Sequence, residues 1–423
     1  MTDYKLKGLL TVVGGVLLNM VAGNLNNWGA ISPYVTSYLA SENHWVNSSM
    51  VYNALPYSFL GENLGVMAAP YLCRKLGIRT CLLVAGLMMG VAYLLCSVIS
   101  SPHAFIGCYS VLVGVGGGML TITSMWPSWD YYPESKGMVT GIIMGGFSSA
   151  SIVFSFMFTW ITNPHNSSPV SNGNDMVFSS EVNNKVPSAF FWVGLVLCAM
   201  TCVGVALVRP VSQRSKSESV KKFPVTQILK LGTFWNLFFV TLTSFVFWHF
   251  VSGCYKSFGL LYIDDDHFLT FIGLAANVSG VLGRWFWPTL LDYLPFKVVL
   301  TLSLSYQVVC SGLIWFAVGN KTTYAVLIIS LFFATASLFP CAAVQTNKVF
   351  GVLHDRVWPF VFMAMTVSCV STIFMKLLAE TVGYFQVYLF EGFVLLCSVF
   401  LTWMLQENSG IGKEKYFEPL NYT

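Results

Sequence analysis

Charge is what this chain has least of. Only 9% of its 423 residues are Asp, Glu, Lys or Arg, against about 25% in soluble domains. An ordinary water-soluble enzyme or nucleic-acid-binding module is excluded on that ground. The net charge of +4 is too small for a polyanion footprint, and the positive residues fall in short loops, where they report topology. Eleven cysteines are present without CxxC or Cys/His spacing, so neither a metal centre nor a disulfide framework is expected. Most lie in apolar segments (Cys96, Cys198, Cys202, Cys310, Cys369, Cys397) and read as packing. Gly114, Gly116, Gly117 and Gly118 sit inside an apolar run and form no phosphate loop. No nucleophile–base arrangement appears. The sequence therefore points to neither an enzyme nor an ATP-driven pump, and it calls for no cofactor.

What is abundant is apolar: 55% hydrophobic residues, 16% aromatic, and 35 glycines. Runs of about 20 apolar residues, the length that crosses a bilayer, recur near 9–39, 50–72, 80–99, 104–131, 138–162, 187–208, 233–262, 268–291, 298–318, 323–346, 358–379 and 383–405. This predicts an all-α membrane protein of twelve transmembrane helices with both termini on one side. Loops on that side carry seventeen Lys and Arg, among them Arg74, Lys75, Arg79, Lys297 and Lys348. The opposite loops carry Lys185 and Lys321, and Arg284, Lys256 and Lys376 lie within spans, which accounts for all 22. The positive-inside rule makes both termini cytoplasmic, with the plasma membrane as the expected host. The start, "MTDYKLKGLL", suggests no cleavable signal. Sequons at Asn47, Asn166 and Asn320 fall in expected outer loops, and loop 163–186 reads as polar and mobile.

The chain repeats itself. "LGVMAAPYLCRKLGIR" (64–79) closing span two parallels "LGRWFWPTLLDYLPFK" (282–297) closing span eight. "NNWGAISPY" (26–34) has a counterpart in "YKSFGLLYI" (255–263). "MWPSWDYYPESKG" (125–137) and "LFPCAAVQTNKVFG" (338–351) both place Pro near the inner end of the fourth span of a half. The expected organisation is an N-terminal half, 1–208, a basic Ser-rich linker, 209–232, a C-terminal half, 233–405, and a cytoplasmic tail, 406–423. Parallel repeats of this kind place a solute site at the repeat interface near the midplane.

One residue stands against the apolar background. Arg284 lies in span eight with no acidic residue within seven positions, and a charge at that depth costs at least about 2.5–3.5 kcal/mol. Its five donors and permanent charge suit a planar carboxylate. Asn277, seven residues earlier, shares its helix face. A structural ion pair, with Glu62 as the partner, is the competing reading. Glu62 itself lies well inside span two, where a carboxyl can take up and release a proton. His249 and Lys256 share a face of span seven; His249 is a second candidate for proton coupling, and Lys256 either lines a cavity or snorkels to the surface. Asn24, Asn26 and Asn27 form a polar cluster in span one that needs partners. Gly137, Gly141 and Gly145 at four-residue spacing predict close helix packing.

"NNWGAISPYVTSYL", "APYLCRKLGIR", "YYPESKGMVTGIIMGGFSSAS" (131–151), "NVSGVLGRWFWPTLLD" and "LFPCAAVQTNKVFG" together resemble the major facilitator superfamily, and within it the oxalate:formate antiporter and monocarboxylate transporter group. The resemblance implies two six-helix halves and a span-eight arginine that pairs with the substrate carboxylate, the position of Arg284. Oxalate-type members carry a lysine in span eleven where Met365 stands here. Proton-coupled animal-type members carry an aspartate one turn before the arginine, here Gly280, and a lysine in span one, here near Asn27 or Trp28. On this reading Arg284, Lys256, Asn277, Asn26, Asn27, Trp28, Thr121 and Met365 bind substrate. Arg74, Arg79 and Asp292 resemble the inner gating loops, with Cys73 in place of an acidic residue.

The expected function is secondary transport of small monocarboxylates of the lactate, pyruvate or formate type, coupled to protons and working by alternating access. An exchanger of dicarboxylates or other organic anions is the alternative, and a non-transporting receptor or scaffold on the same fold is a third reading. The partners are a small organic anion, protons and the lipid bilayer, not nucleic acid, and a monomer is expected.

Overall fold

The computed structural model describes residues 2–405 except 44, 47–49, 52, 166, 168–169, 173–174, 212–227, 264 and 318. The sequons at Asn47 and Asn166, most of the linker and the tail lie outside the described residues. The first span is Thr2–Gly23 and Trp28–Glu42 joined by a 3-10 turn, Asn24–Asn27. The second to sixth are Ala54–Leu76, Ile78–Cys96, Pro102–Tyr131, Lys136–Thr162 and Ser180–Leu207. The seventh to ninth are Gly232–Leu260, Asp266–Leu290 and Phe296–Ala317. The tenth is Lys321–Thr335 with Leu338–Phe350, and His354–Val382 and Tyr384–Met404 complete the order. Among the described residues, nine of these are long and apolar enough to cross a membrane. The second, eighth and eleventh fall outside that set, and two of them carry Glu62 and Arg284.

The helices fall into two compact units, Met1–Pro133 with Ile143–Val211, and Glu134–Ile142 with Ser212–Thr423. The start of the fifth span thus groups with the second unit. In the first unit the second and fourth spans meet backbone to backbone. A Cβ on Gly61 or Gly65 would strike the main chain of residues 110–119, and one on Gly114 or Gly118 would strike that of residues 58–62. Glycines four apart on both helices permit this approach, and it sets the position of Glu62.

Three local features depart from the sequence reading. The first span is not one continuous helix, because Gly23 and three asparagines are poor helix formers and the chain tightens there into a 3-10 turn. The fourth span carries a π-helical turn at Tyr109–Val113 and bends at Ser124–Met125 before Pro127. The loop expected to be loose through 186 is ordered earlier: strands Val170–Asn172 and Asp175–Val177 pair antiparallel, and the sixth span already begins at Ser180. Phe178 stacks on Tyr34 at 4.6 Å, its N–H donates to Ser37 Oγ at 2.8 Å, and Ser37 donates to Asn183 Oδ1 at 2.8 Å. These contacts tie that segment down.

Among the described residues Gly77, Gly351 and Gly383 take a positive φ, and at two of these a lone glycine forms the whole turn. Gly77 (φ 82°) and Gly383 (φ 105°) each reverse the chain between consecutive spans with a single residue, a conformation that glycine adopts without a Cβ clash.

Candidate functional site

In the second unit, the eighth span buries Ala276, Gly283, Trp287 and Leu291, spaced as one helical stripe. Gly283 meets the backbone of Phe333, and Trp287 Nε1 donates to Phe333 O at 2.9 Å. Arg284 borders this stripe and is half-buried; Asn277, on the same flank, is exposed and donates to Gly273 O at 2.9 Å. At about 1.5 Å per residue, Arg284 lies about 9 Å from the C-terminal end of its helix and about 27 Å from the N-terminal end. The outward flank of the same helix is aromatic and exposed at Trp285 and Phe286, as a lipid-facing surface is. Gly141 packs against the backbone of Arg284 and Trp285 and Gly137 against that of Pro288, whereas Gly145 meets nothing within 4 Å. Close packing at this spacing thus holds for two of the three glycines.

His249 belongs to a bonded cluster. Its Nδ1 lies 3.1 Å from Ser368 Oγ and its Nε2 3.2 Å from Cys369 Sγ, so the imidazole ties the seventh span to the eleventh. Ser368 in turn donates to Met365 O at 2.6 Å. Neither Ser368 nor Cys369 is singled out by sequence; the signal was the need of a membrane-embedded imidazole for partners. Met365 is half-buried one turn away. Lys256 is also half-buried, four residues from the C-terminal end of its helix, about 6 Å at helical rise.

In the first unit, Glu62 is 2% exposed, and its Oε2 has no hydrogen-bond partner among the described residues. The first-span asparagines separate into different environments. Asn26 is exposed, Asn27 is buried and accepts from Ser155 Oγ on the fifth span, and Asn24 is buried against Tyr93. Trp28 and Thr121, both expected to face a solute, are enclosed. Trp28 packs against Tyr109 with ring centroids 4.3 Å apart and donates to Val51 O at 3.2 Å, and Thr121 donates to Gly117 O at 2.7 Å within its own helix. Both environments are those of core residues.

Two of the three expected gating residues cap helix ends. Asp292 accepts from the N–H groups of Gly137 and Met138, 2.8 Å each, at the start of helix Lys136–Thr162. A carboxylate there meets the positive end of the helix dipole. Arg79 does the reverse: its Nε donates to Val208 O at 2.9 Å and its Nη2 at 2.5 Å, at the C-terminus of the sixth span. Lys348 donates to Leu291 O at 2.5 Å and Lys297 to Trp403 O at 2.9 Å, at the ends of the eighth and twelfth spans. Lys136 reaches Asn347 Oδ1 at 2.9 Å. Arg74 is exposed. Several of the loop cations thus hold the last carbonyls of transmembrane helices, a role their loop positions alone do not reveal.

Comparison with known proteins places the whole assembly. The sequence profile of the Major Facilitator Superfamily matches residues 17–357. The chain is 22% identical to apicoplast pyruvate carrier 1 of Toxoplasma gondii, over 89% of this chain and 84% of that protein. It is 23% identical to the agnestins efflux protein AgnL12 of Paecilomyces divaricatus, over 95% and 88%. In structure it resembles the fucose:proton symporter FucP of E. coli (TM-score 0.73, 13% identity, 95% of this chain and 99% of that one). It also resembles the proton:xylose symporter XylE (TM-score 0.69, 11% identity, 98% and 99%). Profile, helix order and fold agree: the chain is a multi-pass membrane transporter and not an enzyme, and it belongs to the Major Facilitator Superfamily.

Proposed function

We propose that this transporter carries small monocarboxylates of the lactate, pyruvate or formate type together with a proton, by alternating access. The observation that carries the reading is Arg284, a cation that stays charged within a transmembrane helix, half-buried, with the exposed Asn277 two turns earlier on the same helix. Charged residues at membrane depth face the bundle interior or a water-filled cavity rather than lipid. A guanidinium there offers two parallel donors to a carboxylate. Likeness to a protein named as a pyruvate carrier supports the same substrate class.

Glu62 supplies the proton site. A carboxyl that is almost fully enclosed, with one oxygen lacking a partner among the described residues, is far more stable neutral than ionised. It binds its proton when water reaches it and holds it when sealed. His249, bonded to Ser368 and Cys369, positions the seventh span against the eleventh rather than exchanging protons. The charge distribution of the loops supports cytoplasmic termini, and the plasma membrane is the proposed host. Exchange of dicarboxylates would need a second cation beside the first; Lys256, about 6 Å from its helix end, is placed to snorkel instead.

The test is uptake of labelled pyruvate by purified protein in liposomes, with and without an imposed pH gradient. Uptake accelerated by external acid and lost in Arg284→Gln supports the reading. Uptake that persists in Arg284→Gln removes the arginine from the site, and uptake indifferent to the gradient removes the proton.

A further inference from the structure

The contact of His249 with the eleventh span fixes more than packing. Ser368 Oγ carries one proton, and it goes to Met365 O at 2.6 Å. Toward His249 Nδ1, 3.1 Å away, the hydroxyl therefore accepts. This puts the proton of the neutral ring on Nδ1 and leaves the lone pair on Nε2, because the bond made at one ring nitrogen sets the state of the other. Nε2 lies 3.2 Å from Cys369 Sγ, and Nδ1 is farther from the same sulfur at 4.0 Å. The thiol thus faces a proton acceptor that a third residue holds in orientation, the arrangement of an activated nucleophile. Cys369 and His249 are both half-buried, so the sulfur is not sealed in.

The position along the span selects the reagent. Cys369 sits near the middle of the 29-residue helix His354–Val382, about 20 Å from either end at helical rise. Its neighbours Val367 and Val370 are exposed and apolar. A charged reagent meets a large desolvation cost at that depth, and a small uncharged one does not. A separated thiolate and imidazolium are costly there for the same reason, so the proton leaves sulfur as the new bond forms.

We propose that Cys369 is a modification site, a base-assisted thiol that adds to small uncharged α,β-unsaturated carbonyl compounds, with His249 as its base. The sulfur attacks the β-carbon, and its proton passes to His249 Nε2. The π electrons of the C=C bond shift toward the carbonyl to give an enolate, and Nε2 returns the proton to the α-carbon. One C–S and one C–H bond form; one S–H bond and one C=C π bond are lost. No group leaves, and neither oxidant nor reductant is needed. The product is a thioether at the contact of the seventh and eleventh spans, and the imidazole ends as it began. Ser368 is a positioning residue, since it touches the base and not the reagent. The proton cycles within this site and takes no part in transport coupling, so the chemistry stands apart from the identity of the solute.

The experiment is labelling of the full-length protein in liposomes with N-ethylmaleimide, with each cysteine followed over time by peptide mapping. Cys202 and Cys397, both exposed, gauge access alone. Cys369 is expected to label at least about tenfold faster than either, and its adduct to survive dithiothreitol. His249→Ala brings Cys369 down to the reference rates or below, while the unchanged reference rates report a folded variant. Free imidazole, entering the space the ring left, then restores part of the rate, a rescue that a merely structural histidine does not give. Ser368→Ala, which leaves the base in place but unheld, slows Cys369 severalfold, and it decides the matter if His249→Ala alters the reference cysteines. Labelling of Cys369 no faster than Cys202 and Cys397, or a rate that stays the same in the folded variant, overturns the proposal.

Discussion

The second and eighth spans mirror each other in sequence, and each is too polar to rank with the apolar helices around it. Their charges are treated in opposite ways. Glu62 is sealed in, 2% exposed, against a helix whose glycines let the backbones touch. Arg284 is only half-buried, with an exposed asparagine two turns away on the same helix. The chemistry of the two groups explains the difference. A carboxyl can neutralise itself by taking a proton, so it tolerates enclosure. A guanidinium cannot shed its charge, so it must keep access to water or an anion. The turns that follow the two spans extend the contrast: Arg79 after the second holds the end of a helix, and Asp292 after the eighth holds the start of one.

The comparison breaks most visibly at Arg284. In Arg284→Gln, pyruvate uptake is expected to fall on the order of 30-fold or more, the scale for removing one partner of a desolvated charge pair. Uptake measured in liposomes checks it, and equal rates in wild type and variant would end the anion-site reading. Next is Glu62→Gln, which is expected to abolish the acceleration of entry by external acid while solute exchange at equal pH persists. A variant that keeps its full response to the gradient would move the proton elsewhere. Third, Gly118→Ala presses a methyl into the Glu62 backbone and is expected to lower stability by about 1–3 kcal/mol. Gly145→Ala, with nothing within 4 Å, should stay within about 0.5 kcal/mol; thermal unfolding in detergent compares the pair. The caps follow, with effects below that of Gly118→Ala. Asp292→Asn and Arg79→Gln are each expected to cost about 0.3–1 kcal/mol, a loss that added salt should mimic in the parent protein.

The spans were legible because bilayer thickness imposes a length that apolar runs must meet, and the 20-residue runs stand out. Arg284 was legible for the same reason inverted: a charge with no local neutraliser is conspicuous there. The partners of these residues were not. Arg79 meets Val208 across 129 positions and His249 meets Ser368 across 119, and such pairings depend on which helices pack together. Trp28 and Thr121 show the converse. Both occupy spans that carry polar residues, yet burial turns each inward, and only the rotation of the helix decides that. The break at Asn24–Asn27 was visible as a cluster of weak helix formers, but composition alone did not distinguish a lining from a kink.

The glycine seam between the second and fourth spans carries one more consequence. Helices that touch through their main chains cannot slide or roll past one another without collision, so they travel as a single stiff plate. The Glu62 backbone is part of that plate, and its side chain is 2% exposed. On the proposed reading of Glu62 as the proton site, water that reaches the plate from outside, rather than movement of the helix pair, is what brings the proton.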